Sequence, residues 1–248
     1  MLRSIKDSAK QFARQLGFDV RKHDSLELEH TRVALLLAAH RIDLVLDIGA
    51  NIGQWAKALR GQGYSGDIIS FEPLARAHQE LTRKATRDPR WKVAPRIALG
   101  ERNTEIEIHV AGNSFSSSLL RMLPMHEAGA PESAFVGSET VQMKTLDSLV
   151  GSVIPAGDRR IFCKLDVQGY EARVLAGAET VLKRIDGFQM EISLAPLYDG
   201  QPSFRELLDT MTGRGFEIFG FTPGFVDPRN GRMLQVDGIF FRTVKDRP

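Results

Sequence analysis

The sequence predicts an α/β fold: a doubly wound, mostly parallel sheet finished by a C-terminal antiparallel hairpin. Three observations carry that expectation. Short apolar, partly β-branched runs alternate with helix-period segments from Ile42 to Gly100, in the order strand–helix–strand–helix–strand. The pattern returns in "RRIFCKLDVQGYEARVLAGAETVLKRI", followed by the strand "GFQMEISL" and the helix "SFRELLDTMTGRGF". Finally, "FEIFGFTPGFVDPRNGRMLQVDGIFFRT" reads as two strands joined by a turn at Asn230-Gly231.

In chain order, the first segment has apolar residues at Leu2, Ile5, Ala9, Phe12, Ala13 and Leu16, which is helical spacing. Such a helix packs on the domain or on a partner subunit, and the second of these alternatives would make a homodimer through the N-terminal helices. A membrane-surface helix with Arg3, Lys6, Lys10 and Arg14 on its polar face is the alternative. A second helix is expected over Leu26 to His40. Residues 1–41 thus form an N-terminal helical extension, and 42–248 the main domain.

"IDLVLDIG" is a buried strand of parallel type closed by glycine, and "IGQWAKALRGQG" is the helix after it. "GDIISFEP" is a second strand stopped by Pro73, "ARAHQELTRKAT" a second helix, and "WKVAPRIALG" a third strand. "TEIEIHVAG" alternates like an exposed strand. "NSFSSSLLRMLPMHEAGAPESAFVGSE" is turn-rich and suits an active-site lid. "TVQMKTLDSLVG" is a strand feeding a short helix.

Composition narrows the class of function. The apolar fraction of 42% supports a full core, and a net charge of +2 gives no reason to expect a nucleic-acid partner. The single cysteine, Cys163, permits no internal disulfide or cysteine-rich metal site, and points to a reducing cytoplasm. No apolar run reaches the ~20 residues of a membrane span. Cys163, Trp55 and Trp91 read as core packing.

Ligands in such sheets sit at the carboxyl ends of the strands, so the turn after the first strand is the place to look. There "VLDIGANIGQWA" carries Asp47, then Gly49 and Gly53, which let backbone approach a ligand. The spacing is Gly-x-x-x-Gly and lacks the middle glycine of the dinucleotide fingerprint. Asp47 would repel a pyrophosphate but suits an ammonium group. Glu72, ending the second strand, can accept from both hydroxyls of a ribose. A nucleoside with an amino group and no phosphate fits both, and S-adenosylmethionine meets that description. The alternative is a pair of ordinary strand-end carboxylates.

The segments "VLDIGANIGQWA", "IISFEPLARAHQEL", "VQMKTLDSL", "FCKLDVQGYEARVLAGAE" and "VDGIFFR" occur in the order found in the FkbM-type methyltransferases. The chain resembles that family from about Ile42 to Arg242. The resemblance implies a class I methyltransferase-like (Rossmann-like) fold, S-adenosylmethionine as cofactor, and O-methylation of a hydroxyl on a saccharide, glycolipid or natural product. It implies that Asp47, Gly49, Ala50, Asn51 and Gly53 form the methionine-side loop, with Glu72 and Pro73 at the ribose and Ile97 and Ala98 at the adenine. Arg96 stands where many relatives carry asparagine and is given no contact.

Methyl transfer to a hydroxyl needs in-line alignment and a group to take the proton. Asp166, at the end of the fourth parallel strand, is the first candidate and also borders the cofactor crevice. Glu191 on the neighbouring strand is second. His126 in the lid is third, with a solvated loop side chain as its alternative. Lys164 and Glu171 could instead form an ion pair holding the turn. The serines from Ser114 to Ser118 either bind a polar ligand or cap turns. Mg²⁺ between Asp166 and Glu191 is not favoured, because no His/Asp cluster accompanies the two carboxylates. Two other functions stay open: methylation of nitrogen or protein on the same fold, and a non-catalytic binding protein. The intact glycine loop disfavours the second. "DVQGYE" after the fourth strand, where an amine-binding Asn-Pro-Pro-Tyr-like stretch would stand, disfavours the first.

Overall fold

The computed structural model describes residues 29–243 and positions 12, 15 and 16. But for those three positions, the helix expected over Leu2 to Leu16 lies outside the described residues, as does the dimer surface assigned to it. Helix α1 (Glu29–Ala39) falls within the second expected helix. No helix among the described residues is long and apolar enough to cross a membrane.

The strand–helix alternation is present as β1 (Leu44–Ile48), α2 (Gln54–Gly61), β2 (Asp67–Phe71), α3 (Ala75–Ala85) and β3 (Trp91–Val93). The chain then forms β4 (Ile97–Leu99), β5 (Thr104–Ala111), α4 (Pro124–Gly129) and β6 (Phe135–Lys144). The second half runs through β7 (Ile161–Leu165), α5 (Glu171–Ala176), α6 (Glu179–Leu182), β8 (Ile185–Ser193), α7 (Phe204–Gly213), β9 (Phe216–Pro223) and β10 (Gln235–Arg242).

Seven strands form the main sheet in the order β3-β2-β1-β7-β8-β10-β9. The first five run parallel, and β10 is antiparallel to both neighbours. The C-terminal hairpin is therefore present, with its second strand inserted between β8 and β9. Strand order reverses between β1 and β7, which opens a crevice at their carboxyl ends.

Alternate residues of one strand enter opposite cores, as a sheet covered on both faces requires. Leu44, Leu46, Ile48, Cys163 and Leu165 pack with Val174, Leu207 and Met211 on one face. Val45 and Phe162 pack with Leu37, Leu59 and Leu81 on the other.

Three expectations need correction. The expected third strand is two strands in different sheets. Pro95 ends the pairing of β3 because it has no N–H to donate, and after it β4 joins a separate sheet in the order β4-β6-β5. The expected lid is partly regular, since it contains α4 and the start of β6. The helix after β7 is broken into α5 and α6 at Gly177. A Cβ there would stand 2.0 Å from the Gly100 carbonyl oxygen, so the two segments meet backbone to backbone.

Candidate active site

The crevice holds a cavity whose walls come from the tips of β1, β2, β4 and β7 and from the Ser114–Leu119 stretch. Of the residues expected to contact a ligand, Gly49, Asn51, Glu72, Pro73, Ile97, Ala98 and Asp166 line it. Among the described residues, no Lys, Arg or His side chain does.

The turn after β1 is shaped by close approach. Gly49 has φ 76, and a Cβ on it would stand 1.8 Å from the Asp166 carbonyl oxygen. Gly53 has φ 81, and its Cβ would stand 2.8 Å from Leu81 and from the Trp91 ring. Gly53 thus seats α2 against α3 and β3, and it lies behind the cavity wall with Ala50 and Asp47.

Asp47 is fully buried. The strand register puts Ser70 on one side of it and Lys164 on the other. Ser70 Oγ donates to its Oδ2 at 2.9 Å, whereas Oδ1 has no hydrogen-bond partner and lies 3.9 Å from Lys164 Nζ. Burial raises the Asp47 pKa, against the pull of Lys164 and Ser70.

Glu72 is held by backbone alone. The N–H groups of Asn51 and Leu74 each donate to one of its oxygens at 2.8 Å. Burial pushes its pKa up to about 7, against those two bonds. With two of about four acceptor sites filled, the carboxyl can still accept from a ligand diol.

At the other end of the cavity, Asp166 Oδ2 accepts from Lys164 Nζ at 3.0 Å and Oδ1 from Gln168 Nε2 at 2.8 Å. Lys164 Nζ also donates to the Gly49 carbonyl at 3.2 Å. Burial alone would lower the Lys164 pKa, but the Asp166 and Asp47 carboxylates outweigh it and the lysine stays charged.

Glu191 is half-buried and does not line the cavity. It reaches Asp166 through Gln168, whose Nε2 also donates to Glu191 Oε2 at 2.7 Å. Burial, and then the nearby carboxylates of Asp166, Asp237 and Glu171, raise its pKa well above the ordinary value.

His126 is not the solvated loop side chain offered as its alternative. It is 3% exposed, packed on Tyr198 and Phe225, because the α4 segment docks on the Ala195–Tyr198 stretch. Burial brings its pKa down to about 4, so it is neutral near pH 7, and it does not line the cavity. Glu171 holds the turn after β7, but through backbone rather than through Lys164. Its Oε1 accepts from Val167 and Gly169 N–H at 3.2 Å.

The serine run divides its work. Ser116 and Ser117 serve the turn, bonding to Asn113 and to the Ala111 N–H. Ser114 Oγ accepts from Asn51 Nδ2 at 3.2 Å, and Ser118 Oγ donates to the Gln168 carbonyl at 2.7 Å. Arg96 braces the rim by donating to the Pro73 carbonyl and to Glu139.

Gln168, Tyr198 and Gln235 carried no expectation. Their partners come from distant parts of the chain. The sequence signal closest to them is the polar Gln-Gly pair directly after Asp166-Val167.

The methyltransferase FkbM domain matches residues 47–218. The chain is 26% identical to the 2-O-methyltransferase NoeI of Sinorhizobium fredii, over 89% of this chain and 90% of that one. It is also 26% identical to the hexuronic acid methyltransferase AglP of Haloferax volcanii, over 77% of this chain and 74% of that one. Magnesium protoporphyrin IX methyltransferase of Synechocystis PCC 6803 superposes with a TM-score of 0.46 at 11% identity, over 96% of this chain and 97% of that one. With the domain match spanning both carboxylates of the cavity, the chain belongs to the FkbM family of S-adenosylmethionine-dependent methyltransferases.

Proposed function

We propose that the protein methylates a hydroxyl group of a saccharide, with Asp166 receiving the hydroxyl proton. One observation carries the reading. On an otherwise apolar wall, the polar groups that line the cavity are two carboxyl groups, three serines and side-chain amides, with no cationic side chain among the described residues. Such a lining repels phosphate and accepts hydroxyl donors and a positive charge. The name of AglP, a hexuronic acid methyltransferase, supports a saccharide acceptor, and that of NoeI, a 2-O-methyltransferase, supports transfer to oxygen.

The cofactor supplies a methyl group already activated on a sulfonium. Glu72, with Pro73 beside it, would hold the ribose hydroxyls, Ile97 and Ala98 would border the base, and Gly49 and Asn51 would border the amino-acid end. Asp47, Ala50 and Gly53 hold that loop from behind. Asp166 stands on the cavity wall, a third exposed at its side chain. It accepts the acceptor hydroxyl's hydrogen bond and takes its proton as the new bond forms at oxygen. Glu191 tunes Asp166 from the second rank. His126 packs the lid.

Mg²⁺ is left out of this reading. The point flanked by Asp166 and Glu191 is taken by Gln168 Nε2, a neutral donor 2.8 and 2.7 Å from their oxygens.

The test combines calorimetry with S-adenosylmethionine and methyl transfer to neutral and uronic methyl glycosides, followed by mass spectrometry. Cofactor binding and methylation of at least one sugar hydroxyl are expected, unaffected by a chelator. Transfer to amines alone, or a chelator-abolished reaction, would defeat the reading.

A further inference from the structure

Gln168 sits on the cavity wall with φ 53, a left-handed conformation that is strained for a residue other than glycine. A glycine would take that conformation without strain. What the glutamine side chain adds is three short hydrogen bonds, to Asp166, Glu191 and Tyr198, beside the backbone bond from Ser118 that any residue here would keep. Nε2 donates to Asp166 Oδ1 and Glu191 Oε2, at 2.8 and 2.7 Å. Oε1 accepts from the Tyr198 hydroxyl at 2.7 Å, and the backbone carbonyl accepts from Ser118 Oγ at 2.7 Å.

Both amide hydrogens are used, and the two carboxyl oxygens they meet fix which end of the amide faces them, while the Tyr198 hydroxyl donates to the other end. Rotation of the side chain would break three bonds at once and set a carbonyl against two carboxyls. Tyr198 is itself 1% exposed, and Glu191 Oε2 takes a second donor from Gln235 Nε2 at 2.7 Å. The clamp therefore rests on buried or part-buried groups from β8, β10 and the 195–199 loop. It acts on one target at the cavity, the Asp166 carboxyl. Lys164 fixes Oδ2 and Gln168 fixes Oδ1, so the carboxyl plane is set, and each oxygen keeps a lone pair for an incoming hydroxyl.

We propose that Gln168 is the positioning residue of the acceptor side: its amide aims Asp166 at the hydroxyl and ties that aim to Glu191, Gln235 and Tyr198. The proposal rests on the hydroxyl-methylating reading above. The neutrality of the amide is essential to it. The charged or titratable groups facing this point are Lys164 and Asp166 at β7, Glu171 on α5, Glu191 on β8, Asp237 on β10 and Tyr198, so the carboxyls outnumber the one cation.

Three variants test the clamp. Gln168→Met keeps the length and removes every side-chain hydrogen bond. Gln168→Asn keeps the amide but shortens its reach. Gln168→Glu turns the donor into an acceptor until the new carboxyl takes a proton. All three should lose about a hundredfold in kcat at pH 8, with the cofactor Kd within about threefold of the parent. Only Gln168→Glu should regain turnover as the pH falls, because its protonated carboxyl donates again. A purely structural role would not move the pH profile this way.

A second readout needs no acceptor. In protein carrying carbon-13 at glutamate carboxyls, the Glu191 titration should move upward in Gln168→Met, which removes a donor from its ionised form. Turnover within threefold of the parent in all three variants overturns the proposal, as does a cofactor Kd that weakens in step with kcat. An unmoved Glu191 titration overturns the clamp whatever the activity. A parent protein inactive on every hydroxyl, with the titration moved, overturns the functional reading and leaves the clamp standing.

Discussion

The two ends of the cavity are built by different means. At the Glu72 end the grip is backbone: two N–H groups hold the carboxyl, and a left-handed glycine brings the loop against the next strand. Every part of it lies at the tips of β1, β2 and β7. At the Asp166 end the grip is side chains, and the partners converge from β7, β8, β10, the serine loop and the segment around Tyr198. Backbone geometry cannot be altered by a surface substitution, so the first end suits a ligand that never changes. A side-chain network can be retuned one residue at a time, so the second suits an acceptor that differs between relatives.

The largest effect is expected where the backbone end is tightest. Gly49→Ala sets a methyl group on the Asp166 carbonyl and should destabilise the fold by about 4 kcal/mol or more, lowering Tm by roughly 10 °C. Gly63→Ala is the control. Its φ is 88, with nothing within 4 Å of the added Cβ, so it should cost only about 1 kcal/mol. Equal melting losses in the two variants would mean that the left-handed turn, and not the close approach, is what Gly49 provides.

The next effect concerns ligand affinity and pH. Because burial pushes Glu72 up to about 7, its ionised, better-accepting form grows as pH rises through that value. Cofactor affinity should rise with it. Glu72→Gln should bind at least about tenfold more weakly, with no pH dependence in that window. The stability sign is opposite. A carboxyl whose folded pKa is raised adds stability at low pH and loses it as pH rises towards about 7. Between pH 5 and pH 8 the parent should therefore lose about 2–3 kcal/mol that Glu72→Gln retains. Urea titrations without ligand, set beside calorimetry at the same pH values, check both halves. A parent whose affinity is flat across neutrality would detach Glu72 from the ribose.

This asymmetry also explains what could be read before the fold was known. Asp47, Gly49 and Glu72 stand out because a strand tip, a glycine turn and a second strand tip are short-range patterns. The succession of strands and helices along the chain followed from the same alternation, whereas the order of the strands across the sheet is set by long-range pairing. Gln168 lies within the family-like segment "FCKLDVQGYEARVLAGAE" and still carried no role, because its partners Glu191 and Tyr198 are far along the chain and its positive φ leaves no mark in an alphabet of side chains. His126 misled for a related reason. A polar residue in a polar, turn-rich stretch reads as solvated, and only the docking of α4 on Tyr198 and Phe225 buries it. Pro95 was visible, yet a proline can end a strand without saying where the chain goes next.

The smallest expected effect is the one that most directly tests whether the two ends are separable. Gln235 on β10 gives Glu191 its second donor, and the residue is 3% exposed. Gln235→Leu keeps the bulk, and Glu191 Oε2 keeps the bond from Gln168, so no buried acceptor is left bare. The loss should be about 1 kcal/mol, or roughly 2–4 °C in Tm. Cofactor Kd should stay within about twofold, since neither Gln235 nor Glu191 itself bonds to a group at the Glu72 end. Turnover should fall more than affinity, because Glu191 anchors the amide that aims Asp166. A tenfold change in cofactor affinity from this one distant amide would mean that the backbone end is not autonomous, and that Lys164, which bonds to both Gly49 and Asp166, transmits strain between the two ends.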